Sequence, residues 1–189
     1  MKDFAKNISG NSVLDIGSGI GIFNSVLREL GFKKIVALDN DKKTLEINTA
    51  DEKYSINLEK QLPFPNNYFD SVFAVEIIEH LENRKQLLNE IYRVLKPNGY
   101  LILTTPNKDS LIARFDKIIG RLVDGKWIGH DCSHKYVYGF KELIKEIKNS
   151  KFAILRISTF CLFYGLTILT GASKGRSVWI LARKTNHKK

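Results

Sequence analysis

Between residues 12 and 31 the chain passes from a short apolar run, Ser12 to Ile16, through three closely spaced glycines, Gly17, Gly19 and Gly21. It then enters a segment in which Phe23, Val26, Leu27 and Leu30 recur at helical spacing up to Gly31. A strand that turns through glycines into a helix opens an α/β unit, and the pattern then repeats. Lys34 to Asp39 reads as a second strand, followed by a helix that Asp41 is placed to cap. A third strand falls at Lys53 to Asn57, before Leu62-Pro-Phe-Pro-Asn-Asn67, where two close prolines forbid regular structure. Phe69 to Val75 reads as a buried fourth strand. A helix capped by Asn83 carries Leu87, Leu88, Ile91, Val94 and Leu95 on one face, and Lys96-Pro-Asn-Gly99 turns into a fifth strand, Tyr100 to Thr105. Phe140, Leu143, Ile144 and Ile147 mark a later helix, and Phe152 to Phe160 and Ser177 to Arg183 supply two last strands. Such alternation predicts an α/β fold, a three-layer sheet covered by helices on both faces.

With 189 residues, 43% of them apolar, one domain over 1–189 is expected. Residues 106–135 interrupt the alternation and are too long for a simple connection, so they read as an insertion or lid. Within them Leu111, Ile112, Phe115, Ile118, Ile119, Leu122 and Val123 share one helical stripe, and Arg114, Lys117 and Arg121 another. That amphipathic helix fits packing on the body, a substrate lid or a peripheral membrane contact. No run reaches the roughly 18 apolar residues of a membrane span, and Met1-Lys-Asp-Phe-Ala lacks the apolar core of a signal peptide. A cytoplasmic protein is expected. Cys132 and Cys161 stand far apart and read as free thiols. The formal charge of +10 comes from lysines scattered in pairs, the pattern of a solvated surface, although a polyanionic partner such as nucleic acid also fits it.

The glycine cluster predicts a nucleotide-type ligand close to the backbone. Dinucleotide binders need a glycine or alanine where this chain has Ile22, which disfavours a pyrophosphate cradle. Asp15, just ahead of the glycines, would repel a pyrophosphate and suits a cationic amine. Asp39 stands about 20 residues beyond the glycines, as a carboxylate must to accept hydrogen bonds from both ribose hydroxyls.

Val13-Leu-Asp-Ile-Gly-Ser-Gly-Ile-Gly21, Ala37-Leu-Asp-Asn40, Asn57-Leu-Glu with Leu62-Pro-Phe-Pro65, Phe69-Asp-Ser-Val-Phe-Ala-Val-Glu76 and Val94-Leu-Lys-Pro-Asn-Gly99 together resemble the successive motifs of class I S-adenosylmethionine-dependent methyltransferases. The resemblance covers roughly residues 12 to 105. It implies a Rossmann-like, mostly parallel seven-stranded sheet with its last strand antiparallel. It also implies S-adenosylmethionine as cofactor, held by Asp15, Gly17, Ser18, Gly19, Gly21, Asp39, Asn40, Asn57, Leu58 and Glu76, with Asn57 and Leu58 bordering the adenine. Asn57 departs from the acid usual there, but its carbonyl oxygen can still accept from an adenine amine. The few residues before the first strand leave the cofactor either open or covered by 106–135.

Methyl transfer from a sulfonium mainly requires alignment and exclusion of water. Glu76-Ile-Ile-Glu79-His80 contains no Asn-Pro-Pro-Tyr-like element of the kind that amide or adenine N-methyltransferases use, so an oxygen acceptor is expected, on a small molecule, lipid quinone or glycan. His80 or His134 would take its proton near neutrality. A helical turn would set Glu76, Glu79 and His80 on one face, and with His134 they would form a site for Mg²⁺ or Mn²⁺. That set is similar to the one in small-RNA 2′-O-methyltransferases, and its Glu79-His80 part also resembles ubiquinone-pathway O-methyltransferases. The bland alternative is that the acid and histidine shape the pocket and cap the next helix. An RNA methyltransferase and a catalytically inactive cofactor-binding domain are the competing readings, with an NAD-linked oxidoreductase disfavoured by Ile22 and Asp15.

Overall fold

In the computed structural model, which describes residues 2–6, 8, 10–110, 134–163, 166–170 and 175–185, the alternation read from the sequence becomes a twisted sheet between two helical layers. The strands are β1 (Ser12–Ile16), β2 (Lys34–Asp39), β3 (Glu52–Ser55), β4 (Phe69–Val75), β5 (Leu95–Pro106), β6 (Phe152–Phe163), β7 (Leu166–Thr170) and β8 (Ser177–Lys184). Their order across the sheet is β3-β2-β1-β4-β5-β8-β6-β7. The first five are mutually parallel, and β8 runs antiparallel to both β5 and β6. The seven strands expected are therefore present with the last one antiparallel, and β7 adds an eighth by pairing with the far edge of β6.

Alternation along each strand sorts side chains into two cores. Val13, Ile35, Ala37 and Phe73 pack beneath α1 (Lys2–Ala5), α2 (Asn24–Glu29) and α3 (Lys42–Ile47), which contribute Phe4, Leu27 and Leu45. Leu14, Ile16, Val72 and Ile180 face the other way, against Leu87 and Ile91 of α4 (Arg84–Val94) and Leu143 and Ile147 of α5 (Phe140–Asn149). Each fully buried side chain of this size contributes roughly 1.5–3 kcal/mol. The caps are where the sequence puts them: Asp41 Oδ1 accepts from the Lys43 N–H at 2.9 Å, and Asn83 Oδ1 from the Gln86 N–H at 3.2 Å.

Several boundaries differ, with β6 running on to Phe163 and β8 to Lys184 among them. The third strand ends at Ser55, so Asn57 lies in the loop beyond it. β5 begins at Leu95, which pairs with Phe69; the ladder then skips to Tyr100 opposite Ser71, and the bulge between holds Asn98 at a φ of 63°. The amphipathic run at 111–123 and Cys132 lie outside the described residues. Among those described, no helix is long and apolar enough to cross a membrane.

This topology fixes where a ligand can sit. The chain winds outward from β1 through β2 to β3, then crosses to β4 and β5, so β1 and β4 are the neighbours at which the winding reverses. In open α/β sheets the crevice beyond the carboxyl ends of such a pair is the binding position. The glycine loop leaves β1, Asp39 ends β2 and Glu76 follows β4, all at that edge.

Candidate functional site

The loop after β1 is built on left-handed glycines, with φ of 71° at Gly17, 49° at Gly19 and 81° at Gly21. A Cβ on Gly17 would lie 2.7 Å from Ile77, and one on Gly21 would lie 2.5 Å from Asn24 Nδ2, so these two are closed by packing. A Cβ on Gly19 would meet nothing within 4 Å, so the open face of the loop is at Gly19. Four of the loop's donors are already used. Gly17 and Ser18 N–H donate to the Leu38 carbonyl at 2.8 and 3.1 Å, Gly21 N–H to the Ser18 carbonyl at 2.9 Å, and Gly19 N–H to Asp39 Oδ2 at 2.8 Å. A pyrophosphate cradle needs a row of free N–H groups, and these four are engaged within the protein. Beneath the loop the Asn48 amide donates to Gly19 O at 2.9 Å and Ser18 Oγ at 3.2 Å, and accepts from Asn24 Nδ2 at 2.8 Å.

Two carboxylates frame the loop. Asp15 is only 2% exposed, and its Oδ2 has no hydrogen-bond partner among the described residues. Burial, reinforced by the charge of Asp39, pushes its carboxyl up to about 7. Asp39 is half-buried and accepts at both oxygens, from Gly19 N–H at Oδ2 and from Asp41 N–H at Oδ1 (3.0 Å). A carboxylate offers about four acceptor positions, so each oxygen keeps one free. Beyond Asp39 a cavity of about 760 Å³ opens, lined in part by Asn40, Asn57, Leu58, Ile77, His80 and Lys135.

Beyond β4 the expected helical turn is a single 3₁₀ turn, Ile78–His80, and it starts after Glu76. Glu76 has a φ of 49°, which points it away from the path a helix would take. Its Oε1 accepts from Thr104 Oγ1 at 2.7 Å. Glu79 is fully buried; Oε2 accepts from Thr105 Oγ1 at 3.0 Å, and Oε1 has no hydrogen-bond partner among the described residues. Burial, and then the charge of Glu76, raise Glu79 well above the carboxylate range, to about 8. Burial raises Glu76 as well. His134 returns beside His80, with ring centroids 4.8 Å apart. One ligand atom each from Glu79, His80 and His134 lies within 4.8 Å of the others, a group that leaves out Glu76.

Thr104 and Thr105, which hold the two acids, escaped the sequence reading. The signal was a polar pair ending the otherwise apolar run Tyr100 to Leu103, at the carboxyl end of the strand. Lys135, on the cavity wall and 3.0 Å from Glu82, was equally unmarked.

Residues 14–103 match the model of a methyltransferase domain family. Over that stretch the chain is similar to a methyltransferase domain. A mitochondrial ubiquinone biosynthesis O-methyltransferase of Dictyostelium discoideum is 31% identical to the chain over 121 residues, 55% of this chain and 38% of that protein. A sterol 24-C-methyltransferase of Gibberella zeae is 32% identical over 136 residues, 65% of this chain and 36% of the relative. The chain thus spans less than half the length of either. The methyltransferase fold itself extends over nearly the whole chain: an S-adenosylmethionine-dependent methyltransferase of Thermotoga maritima superposes with a TM-score of 0.75 at 20% identity, covering 95% of this chain and 84% of that one.

Proposed function

We propose that the chain binds S-adenosylmethionine and transfers its methyl group to an oxygen atom of a small molecule, lipid quinone or glycan. The observation that carries the cofactor is the buried Asp15 carboxylate with an unpartnered oxygen, beside a loop four of whose N–H groups are engaged within the protein. A buried carboxylate is costly unless a cation meets it, and the ammonium of a methionine moiety is such a cation. In this reading the free lone pairs of Asp39 take the ribose hydroxyls, and Asn40, Asn57, Leu58 and Ile77 border the adenine in the cavity. Ser18 and the glycines shape the floor, and Gly19 leaves room for the ligand. Glu76 stands where β4 meets the methionine end.

When bound, S-adenosylmethionine supplies an electrophilic methyl group that is lost by in-line displacement. The protein's own work is to hold an acceptor hydroxyl in line and to take its proton. His80 lines the cavity and His134 packs on it, so one of the pair serves as base. The ubiquinone-pathway relative favours an oxygen acceptor, and a lipid quinone as one form of it.

A second reading rests on the convergence of Glu79, His80 and His134. The mixed carboxylate and imidazole set suits Mg²⁺ or Mn²⁺, which when bound supplies Lewis-acid help in deprotonating a hydroxyl, as an RNA 2′-oxygen would require. Label transfer from methyl-labelled S-adenosylmethionine into fractionated extract, with and without EDTA, tests both. Label in a small-molecule or lipid fraction that survives EDTA supports the first reading. Label in RNA that EDTA abolishes supports the second, and no label in any fraction contradicts transferase activity altogether.

A further inference from the structure

Arg84 does not line the cavity, yet it joins the two chain segments that meet at the histidines. As the first residue of α4 it sends Nη1 to the carbonyl oxygens of Leu81, at 3.2 Å, and Glu82, at 3.4 Å, directly after the turn that carries Glu79 and His80. Its guanidinium carbon stands 3.9 Å from the centroid of the Tyr136 ring and 5.7 Å from that of Tyr138. Arg84 Nε is buried with no hydrogen-bond partner among the described residues, so stacking does much of the work of orienting the group. A planar guanidinium suits that contact better than an ammonium.

Tyr136 lies two residues beyond His134. Its N–H and that of Lys135 donate to the Glu79 carbonyl at 3.0 and 2.9 Å. Its hydroxyl donates to Glu142 of α5, which also pairs with Lys108 at 2.9 Å, and the Lys108 ammonium lies 5.7 Å from the ring centroid. Residues 134–139 form neither helix nor strand, apart from one bridge between Tyr138 and Asn107. The Glu79 carbonyl and the Tyr136 stack therefore anchor the segment directly after His134. The ion pairs of Lys135 with Glu82 and Glu59 are exposed and add little.

We propose that Arg84 and Tyr136 are positioning residues, a cation–π clamp that holds His134 against Glu79 and His80 without touching substrate. The proposal rests on reading those three residues as the acceptor end of the site. Zn²⁺ alone serves as probe, because it binds imidazole and carboxylate at about 2 Å and so reports whether the three groups can meet. Wild type binds Zn²⁺, and His80→Ala abolishes that binding. Arg84→Gln and Tyr136→Leu weaken it about tenfold, Tyr136→Phe changes it less than about twofold because the ring remains, and the double variant is no weaker than the worse single one. S-adenosylmethionine affinity stays within about twofold in the Arg84 and Tyr136 variants, which a general loss of structure would not allow. If Arg84→Gln does not fold, the contrast between Tyr136→Phe and Tyr136→Leu carries the test. Wild-type zinc affinity in Tyr136→Leu, no zinc binding by wild type, or full binding by His80→Ala overturns the proposal. The expected zinc pattern together with no transfer to any hydroxyl acceptor supports the clamp and contradicts only the acceptor reading.

Discussion

Asp15 places a carboxylate inside the fold, where the proposed recognition of a cationic amine and stability make opposite demands on it. Its pKa rises from 3.8 to about 7 through burial and then the nearby Asp39. A folded-state value above the unfolded one stabilises the protein fully below pH 3.8, and that contribution is lost as pH rises through about 7. Ligand-free Asp15→Asn should therefore melt roughly 4 °C or more above wild type at pH 8, since about 1 kcal/mol moves a domain of this size by about 2–4 °C. Binding has the opposite sign, because a cationic amine needs the ionised acid. Wild-type affinity for S-adenosylmethionine should tighten roughly five- to tenfold from pH 6 to pH 7.4, and Asp15→Asn should lose that rise. A flat wild-type profile in calorimetry would detach Asp15 from the ligand's amine.

The glycine loop divides its labour by position, and single alanines should separate the parts. Gly21 is left-handed and closed in by the Asn24–Asn48 amide pair, so Gly21→Ala should lower the melting temperature by several degrees. Gly19 faces open space, and left-handed backbone costs an alanine only about 1–2 kcal/mol there. Gly19→Ala should instead weaken S-adenosylmethionine about tenfold or more for a small stability loss; equal loss of both quantities in the two variants would refute the division. The loop and the strands around it were legible because glycine spacing, caps and apolar periods are local signals. The turn after β4 was not. Glu76 adopts a left-handed φ that nothing in its neighbours announces, and this moves the expected helical face to a 3₁₀ turn holding Glu79 and His80 alone. The start of β5 was missed for a similar reason, because its bulge depends on pairing with Phe69 and Ser71 of another strand.

Across the whole molecule, the order of strands gathers residues from five loops at one edge of the sheet, and only in the first two does residue spacing alone carry a signature. Asp15 and Asp39 follow from their distance to the glycines. The meeting of His80 with His134 is implied by the family resemblance and the stack of Arg84 on Tyr136 is not; both join segments about 50 residues apart in the chain and have no periodic trace in the sequence. The net charge of +10 likewise does not single out one partner, because a basic surface attracts any polyanion. On the proposed reading this crevice takes S-adenosylmethionine with its ribose on Asp39. Calorimetric titration of wild type and Asp39→Ala with S-adenosylmethionine and with NAD tests it most directly. Wild type should bind S-adenosylmethionine and not NAD, and Asp39→Ala should weaken binding roughly ten- to a hundredfold with the fold intact, as hydrogen bonds to a charged acceptor contribute about 1.5–3 kcal/mol. NAD binding by wild type, or unchanged S-adenosylmethionine affinity in Asp39→Ala, would contradict it.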